Sequence, residues 1–301
     1  MTCDTHIHFF SPSFFAGLAE QLSALDHREY ASTDLPLRLA WDDPESVESL
    51  ADRWVQELST HNVARAAMIA SLPSDAPAVA AALSRHPTRF VGFFMVDPTR
   101  DNAVEYISRS VENGLRAVCL FPAMHRFSAH DEGVIRIFEF VSACIPTPAV
   151  FVHCGTLTIG VRRRLGLPSA FDMRFGNPLD LHGVAQRFPN VPILIPHFGA
   201  GMLREALMLA DVCPNVYLDT SSTNGWMRYT PGLTLEQVFE TALTTIGPDR
   251  LIFGTDSSFF PRGWNREVFT RQRSALDTVG ASLDAQAQIF GGNFNRLFPL
   301  A

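Results

Sequence analysis

The first eight residues, Met-Thr-Cys-Asp-Thr-His-Ile-His, place an aspartate and two histidines at alternate positions. Side chains along a strand alternate between its two faces, so Asp4, His6 and His8 are expected to point to the same side. Two imidazoles one strand step apart can chelate one divalent metal, and neutral imidazole suits zinc, iron, nickel and copper. An ordinary buried first strand that carries two histidines is the alternative interpretation.

Three later residues that can bind a metal or transfer a proton each end an apolar run and are followed directly by turn residues. They are His153, His197 and Asp256. A single histidine at a strand end is more often a packing residue than a ligand. Four histidines and an aspartate at strand ends are hard to explain by packing alone, so the pattern favours a metal site.

The elements that must position these residues are eight apolar runs that alternate with helix-like segments. The runs are mostly continuous, as expected for parallel strands buried on both faces. The predicted strands are 2–8, 63–70, 89–96, 115–120, 149–153, 192–197, 215–218 and 251–255, and the predicted helices are 44–60, 76–86, 102–113, 131–144, 179–188, 202–212, 234–246 and 266–279. This pattern predicts an α/β fold, a single (β/α)₈ TIM barrel domain over residues 1–301. An open doubly wound sheet is the alternative.

Two of the connecting segments are too long to be simple loops. Residues 9–43 follow strand one, and residues 154–178 follow strand five. In a barrel both segments lie at the C-terminal face, where active sites form. We expect these long loops to cover the pocket at that face. The alternative is that they form an oligomer interface.

Composition excludes several classes of function. A net charge of −7 and a pI near 5.8 argue against a nucleic-acid binder. No apolar run reaches the length of a membrane span, and no hydrophobic leader is visible, so a cytoplasmic location is expected. Five scattered cysteines do not make a disulfide framework.

The ordered motifs resemble the amidohydrolase superfamily. The resemblance is closest to its amidohydrolase-related branch, which includes aminocarboxymuconate-semialdehyde decarboxylase, resorcylate decarboxylases and pyrone-dicarboxylate lactonase. The stretches that carry it are Asp-Thr-His-Ile-His at 4–8, Phe-Val-His-Cys-Gly at 151–155, Gly-Asn-Pro at 176–178, Phe-Pro-Asn-Val-Pro-Ile-Leu-Ile-Pro-His-Phe-Gly at 188–199, Asp-Arg-Leu-Ile-Phe-Gly-Thr-Asp at 249–256 and Ile-Phe-Gly-Gly-Asn-Phe-Asn-Arg-Leu-Phe at 289–298. The match runs in order along the whole chain.

This resemblance implies a ligand set for one divalent metal ion, usually zinc. The implied ligands are His6, His8, His153 and Asp256. His197 is expected beside the metal-activated water, as a catalytic acid or base or as an electrostatic partner. The chemistry agrees, since zinc with an open coordination position lowers the pKa of its water to about 7. Asp256 is also placed to take the proton of that water, which makes it a second catalytic residue.

Lysine is absent from the chain, and all 24 basic residues are arginine. Schiff-base chemistry and a carboxylated lysine that bridges two metals are therefore excluded. Strand four ends in Cys-Leu-Phe-Pro at 119–122, where some relatives read Lys-Leu-His-Pro. With no second-metal bridge in view, we expect one metal ion.

Two chemistries fit this ligand set. The first is a hydrolase, in which metal-activated water attacks an ester, lactone or amide. The alternative is a metal-dependent non-oxidative decarboxylase of an aromatic or muconic acid. The His-Cys-Gly-Thr stretch at 153–156 is more similar to hydrolase members, which favours the first. A non-catalytic barrel would be expected to lose ligands, and none of the implied set is missing.

The expected substrate is a small carboxylated ring compound. Guanidinium groups pair with carboxylates, and several arginines follow strands four and five. Arg174 is the predicted carboxylate clamp, with His125 and Phe10 as further substrate-binding residues. A solvated surface position is the alternative for most of the arginines and for His125. The sequence leaves open whether the chain forms a homodimer.

Overall fold

The barrel is the central element of the fold, and the computed structural model describes it within residues 1–300. Eight parallel strands lie in chain order, each hydrogen-bonded to the next. The strands are β1 Thr2–His8, β2 Val63–Ala70, β3 Phe90–Val96, β4 Ala117–Leu120, β5 Ala149–Val152, β6 Ile193–Ile195, β7 Val216–Asp219 and β8 Leu251–Ile252. The amides of Thr5 and His8 donate to the carbonyls of Phe253 and Ser257 and join β1 to the segment after β8. The predicted α/β TIM barrel is confirmed.

Helices surround the strands. The α-helices are α1 Pro12–Asp26, α2 Asp34–Arg38, α3 Val47–Thr60, α4 Ala76–Arg85, α5 Ala103–Glu112, α6 Pro122–His125, α7 Glu132–Ala143, α8 Gly160–Leu165, α9 His182–Arg187, α10 Leu203–Val212, α11 Leu235–Ile246, α12 Arg266–Thr278, α13 Leu283–Ala287 and α14 Asn293–Leu297. Their starts are set by side-chain caps. Ser46 accepts from the amide of Ser49 at the start of α3, and Thr234 and Gln237 form a capping box at the start of α11. None of the helices within residues 1–300 is long and apolar enough to cross a membrane.

The first strand departs from simple alternation. Its pairing with β2 shifts register between Asp4 and Ile7, so the two ends of the strand are out of phase. The Asp4 carboxylate accepts from the indole of Trp264 at 2.7 Å and from the Thr255 hydroxyl at 2.5 Å. Asp4 therefore points away from the two histidines. The prediction that Asp4 shares the face of His6 and His8 was wrong, because the register shift places Asp4 on the other face of the strand.

The segments after β1 and β5 form one cap over the C-terminal face. The segment after β1 was predicted as a loop, but it folds into α1 and α2. Ser11 caps α1, Pro12 occupies its first turn, and apolar residues recur at helical spacing. The segment after β5 contributes α8, and the three helices share a core of their own, formed by Phe14, Phe15, Leu18, Ala19, Leu22, Leu35, Leu39, Val161, Leu165 and Leu167. The expected cover over the pocket is present, built from helices as well as loops.

Candidate metal centre

Two histidines and an aspartate meet at the mouth of the barrel. His6 and His8 come from the end of β1, and Asp256 follows β8. Their ligand-capable atoms all lie within 4.8 Å of one another. His8 Nε2 is 3.2 Å and His6 Nε2 is 3.7 Å from the same oxygen, Asp256 Oδ1. Two nitrogens and a carboxylate therefore converge on one point, as a divalent metal site requires.

The outward nitrogens of the two histidines are held by hydrogen bonds. His6 Nδ1 lies 2.7 Å from Asp219 Oδ2, at the end of β7, and 3.0 Å from Ser221 Oγ. His8 Nδ1 lies 2.7 Å from Ser71 Oγ, just after β2. A carboxylate oxygen accepts from Nδ1, which leaves the Nε2 lone pair of His6 directed at Asp256. This arrangement fixes the tautomer and the ring orientation of a metal-binding histidine.

His197 and His153 extend the histidine cluster along the barrel mouth. The His197 ring centroid is 5.0 Å from that of His6 and 5.2 Å from that of His153. His197 Nδ1 lies 3.3 Å from the carbonyl oxygen of Ser221 and 2.9 Å from its hydroxyl. His153 is buried against Phe121, and its Nδ1 atom has no hydrogen-bond partner among residues 1–300. Of the predicted metal ligands, His153 lies outside the tight group of three.

Backbone conformation at the site is unusual. Asp256 has φ = 60° and His197 has φ = 56°, both in the left-handed region that non-glycine residues rarely occupy. Such strained residues tend to cluster at functional sites. Gly254 lies where the ends of β1, β7 and β8 come close, and a Cβ there would sit 2.8 Å from Asp219 Oδ1 and 2.9 Å from the Cβ of His6. Glycine at 254 permits this approach.

The electrostatics of the cluster follow from burial and neighbouring charge. Burial lowers the pKa of His8, His153 and His197, which keeps these imidazoles neutral near pH 7. Burial opposes charge on Asp256, but its hydrogen bond with His8 and the nearby His6 and His197 outweigh burial and hold its pKa well below the usual range. Burial also opposes the charge of His6, and the Asp219 carboxylate outweighs it and raises the pKa of His6. The neutral imidazoles of His8 and His153 and the ionised Asp256 carboxylate have the protonation states that metal binding needs, whereas the raised pKa of His6 favours a proton that metal binding would release.

A cavity of about 360 Å³ opens onto the cluster. One wall is aromatic: the Phe10 ring stacks on His8 at 5.5 Å and on Trp41 at 5.6 Å, and Trp41 stacks on Phe259 at 4.3 Å. The charged residues in the lining are Arg162, Arg164, Arg262 and Asp256. The cavity is large enough for a small ring compound and is bounded by the cap.

The structure brings only one of the three predicted substrate residues to this cavity. Phe10 lines it. Arg174, in contrast, has a side chain that is 87% exposed and pairs with Asp172 at 2.6 Å, on a separate surface depression. His125 lies outside the lining, and burial lowers its pKa. The predicted roles of Arg174 and His125 in substrate binding are therefore corrected: Arg174 lies on the separate depression, and the His125 side chain is not part of the lining although its neighbour Met124 is.

Three polar residues that orient the histidines were missed from the sequence. They are Asp219, Ser221 and Ser71. The rule that found His153, His197 and Asp256, a polar residue that ends an apolar run, also applies to Asp219. Ser71 follows β2 in the same way. Ser221 has no comparable signal, since it lies two residues beyond the end of β7.

The residues present fit a divalent metal. The three-residue cluster offers imidazole nitrogens and a carboxylate oxygen, donors that suit zinc and manganese alike. The buried and unpartnered Nδ1 of His153 is a further donor that no protein group satisfies within residues 1–300. A buried polar atom without a partner is costly, and a bound group nearby would account for it.

Comparison with known proteins agrees with this geometry. A family model described as Amidohydrolase matches residues 3–300. The chain belongs to the amidohydrolase family. Among curated proteins, fluG of Emericella nidulans is 30% identical over 139 residues. The match covers 41% of the present chain and 15% of fluG. The match therefore concerns a small part of that longer relative.

Solved structures share the fold of this amidohydrolase. A 5-carboxyvanillate decarboxylase from Novosphingobium aromaticivorans, with bound manganese and 3-methoxy-4-hydroxy-5-nitrobenzoic acid, superposes with a TM-score of 0.66 at 14% identity and covers 100% of this chain and 97% of its own. An amidohydrolase from Burkholderia multivorans with bound zinc has a TM-score of 0.62 at 15% identity, with 100% of both chains covered. These two structures of the same fold hold manganese and zinc, and they are named as a decarboxylase and an amidohydrolase. The prediction that the chain is an enzyme of this family is confirmed.

Proposed function

We propose that this chain is a metal-dependent hydrolase that adds water to an ester, lactone or amide of a small carboxylated ring compound. The observation that carries the proposal is the cluster of His6, His8 and Asp256 at the floor of the aromatic-walled cavity. A neutral histidine, His197, lies against the cluster. Ligands, a proton-transfer group and room for a small ring therefore occur together.

His6, His8 and Asp256, with His153 beside them, would hold one divalent ion, and zinc is our first choice for this nitrogen and oxygen donor set. When bound, such an ion activates water and polarises carbonyl groups. Asp219, Ser71 and the barrel backbone keep the two imidazoles of β1 in place. The Asp256 carboxylate stays ionised at neutral pH and can accept a proton from the attacking water.

His197 is the second proposed catalytic residue. We assign the proton of neutral His197 to Nδ1, because the Ser221 carbonyl at 3.3 Å can only accept a hydrogen bond, while the Ser221 hydroxyl at 2.9 Å can either donate or accept. The Nε2 atom then has a free lone pair, and no residue among 1–300 is hydrogen-bonded to it. His197 can accept a proton at Nε2 and return it to the leaving group.

Non-oxidative decarboxylation of an aromatic or muconic acid is the second candidate. The aromatic wall of Phe10, Trp41 and Phe259 favours a flat conjugated substrate, which is the kind of compound such a reaction needs. In that reaction His197 would first take up a proton at Nε2 from water and would then deliver it to the ring carbon that loses carbon dioxide. The same fold carries 5-carboxyvanillate decarboxylation in the relative described above.

A substrate panel on metal-analysed protein tests the two candidates. The metal content of the purified protein would be measured first. Carbon dioxide release would then be measured with aromatic and muconic acids as substrates. Acid release would be measured with the matched esters, lactones and amides. Acid release dependent on the metal supports the hydrolase. Carbon dioxide release without acid release would support the decarboxylase and contradict the hydrolase. Absence of metal-dependent turnover of either kind would reject both proposed reactions. The cytoplasmic location and a homodimer stay predictions.

A further inference from the structure

The charge of the cavity is opposite to that of the whole chain. The chain carries a net charge of −7. The cavity wall nevertheless contains three arginines, Arg162, Arg164 and Arg262, and a single acid, Asp256, which belongs to the metal cluster. A metal ion would add further positive charge. The positive charge of the cavity wall therefore favours an anionic ligand.

Two of the three arginines are occupied in holding the cap together. Arg162 donates from Nη1 to Gln21 Oε1 at 2.5 Å, and from Nη2 and Nε to the Pro168 carbonyl. All its guanidinium nitrogens thus have partners. Arg164 donates to the carbonyl of Leu39 in the segment after β1. These contacts join the two cap segments and hold the guanidinium groups of Arg162 and Arg164 in the cap.

Arg262 is placed differently, beside the metal cluster. Its Nη2 donates to Ser258 Oγ at 2.8 Å and lies 3.2 Å from the backbone oxygen of Asp256. Its guanidinium carbon sits 4.6 Å from the ring centroid of Phe259, which supports the group from one side. Nε and Nη1 have no hydrogen-bond partner, and no carboxylate pairs with Arg262 among residues 1–300. Within residues 1–300 Arg164 also keeps Nε and Nη1 unpaired, and what distinguishes Arg262 is that its guanidinium lies against the backbone of Asp256, beside the metal cluster.

We propose that Arg262 determines specificity by binding the carboxylate of the substrate next to the metal cluster. The identity of the reaction rests on the proposed function, whereas carboxylate binding by Arg262 does not. A charge-assisted hydrogen bond from a guanidinium is stronger than a neutral one. Because Arg262 also contacts the backbone of Asp256, the bound carboxylate lies close to the reacting group, as in a compact ring acid. Arg262 takes the role that the sequence assigned to Arg174.

Binding of benzoate and of its neutral counterpart benzamide tests this inference without any turnover. Both would be titrated calorimetrically into metal-loaded protein. Wild type should prefer benzoate, and Arg262→Gln should weaken benzoate about 10- to 100-fold while changing benzamide less than about twofold. Arg262→Lys should recover part of the loss, since it restores the charge but not the guanidinium geometry. Arg174→Gln, on the separate surface depression, is the matched control and should bind benzoate as wild type does.

Unchanged benzoate affinity in Arg262→Gln at full metal content overturns the inference, as does a loss confined to Arg164→Gln. Failure of the proposed function looks different. If the substrate panel shows no turnover while benzoate binding still depends on Arg262, the inference stands and the reaction assignment falls. If turnover is found and Arg262→Gln impairs acids and their methyl esters equally, the reaction assignment stands and Arg262 is removed from substrate recognition.

Discussion

His6 Nδ1 and Asp219 Oδ2 lie 2.7 Å apart, both fully enclosed at the mouth of the barrel. The contact joins the ends of β1 and β7, and it directs Nε2 of His6 towards Asp256. Removing the carboxylate would leave His6 with Ser221 Oγ as its remaining Nδ1 partner. The contact therefore links the closure of the barrel to the orientation of a proposed metal ligand.

Asp219→Asn should lower the affinity for zinc about 10- to 100-fold, because the amide is a weaker acceptor and can present a donor to Nδ1. Competition with a chromogenic chelator would measure the affinity. Asp211→Asn, on the exposed end of α10, is the control and should match wild type. Equal affinities in all three proteins would exclude Asp219 from the support of the metal site.

The double substitution His6→Ala and His8→Ala removes both proposed nitrogen ligands from β1. We expect the metal content to fall from about one ion per chain to a trace, since a single carboxylate and a distant imidazole make a poor site. Elemental analysis after dialysis measures it. His27→Ala with His130→Ala, at two exposed positions, controls for the number of histidines. Full metal content in the first double variant would disprove the ligand assignment.

His197→Ala separates metal binding from proton transfer. Its ring lies against the cluster but outside the three-residue group, so the variant should keep its metal. Turnover should fall about 10²- to 10⁴-fold, the usual contribution of a general acid or base. Rates and metal content would be measured on the same sample. Loss of the metal from a folded variant would make His197 a ligand instead.

The strands and most of the cluster were accessible from sequence because their signals are local. Continuous apolar runs marked all eight strands, alternate spacing in the first strand marked His6 and His8, and a polar residue at the end of a run marked Asp256. Asp219 was missed because the seventh strand was predicted to end at residue 218, one residue too early. The same rule applied to a run of correct length would have included it.

The predictions for Asp4 and Arg174 were wrong because the positions of these side chains depend on contacts with distant parts of the chain. Alternation along β1 assumes regular pairing, and the register shift between Asp4 and Ile7 arises from the contact with β2. The course of the segment after β5 depends on how α8 packs on the first cap segment, which no periodicity in the segment encodes. Arg262 lies on the segment after β8. That segment is short, so its length did not mark it as part of the site.

Asp75 offers a test of pH-dependent stability away from the metal. It is buried, accepts from the hydroxyls of Ser11 and Ser13 through Oδ1, and has no partner for Oδ2 within residues 1–300. Burial raises its pKa from 3.8 to about 6. A raised pKa means that the protonated form favours the fold. This contribution is complete below the unfolded value and is lost as pH rises through about 6.

Asp75→Asn mimics the protonated form at every pH. Its melting temperature should therefore exceed that of wild type by a margin that grows from about pH 4 to about pH 7, with up to about 3 kcal/mol of unfolding free energy at the upper end. Thermal unfolding across this range measures the margin. Asp101→Asn, at an exposed position, should show a constant difference. A margin that shrinks with rising pH would contradict the raised pKa.

Gly254→Ala tests whether the close approach of the ends of β1, β7 and β8 is needed for the site. The added Cβ would sit 2.8 Å from Asp219 Oδ1 and 2.9 Å from both His6 Cβ and Ser221 Cβ, closer than such atoms pack. We expect a loss of about 1–3 kcal/mol in unfolding free energy. Zinc affinity should fall as well, because the carboxylate that orients His6 must move.

The matched control is Gly225→Ala, where the nearest atom to a new Cβ is Thr223 Oγ1 at 3.9 Å. That variant should keep both the stability and the zinc affinity of wild type. Denaturant unfolding of the metal-free proteins and chelator competition on the folded ones separate the two effects. If Gly254→Ala lost stability but kept wild-type zinc affinity, the tight packing would support the barrel alone, and the link between strand closure and the orientation of His6 would be refuted.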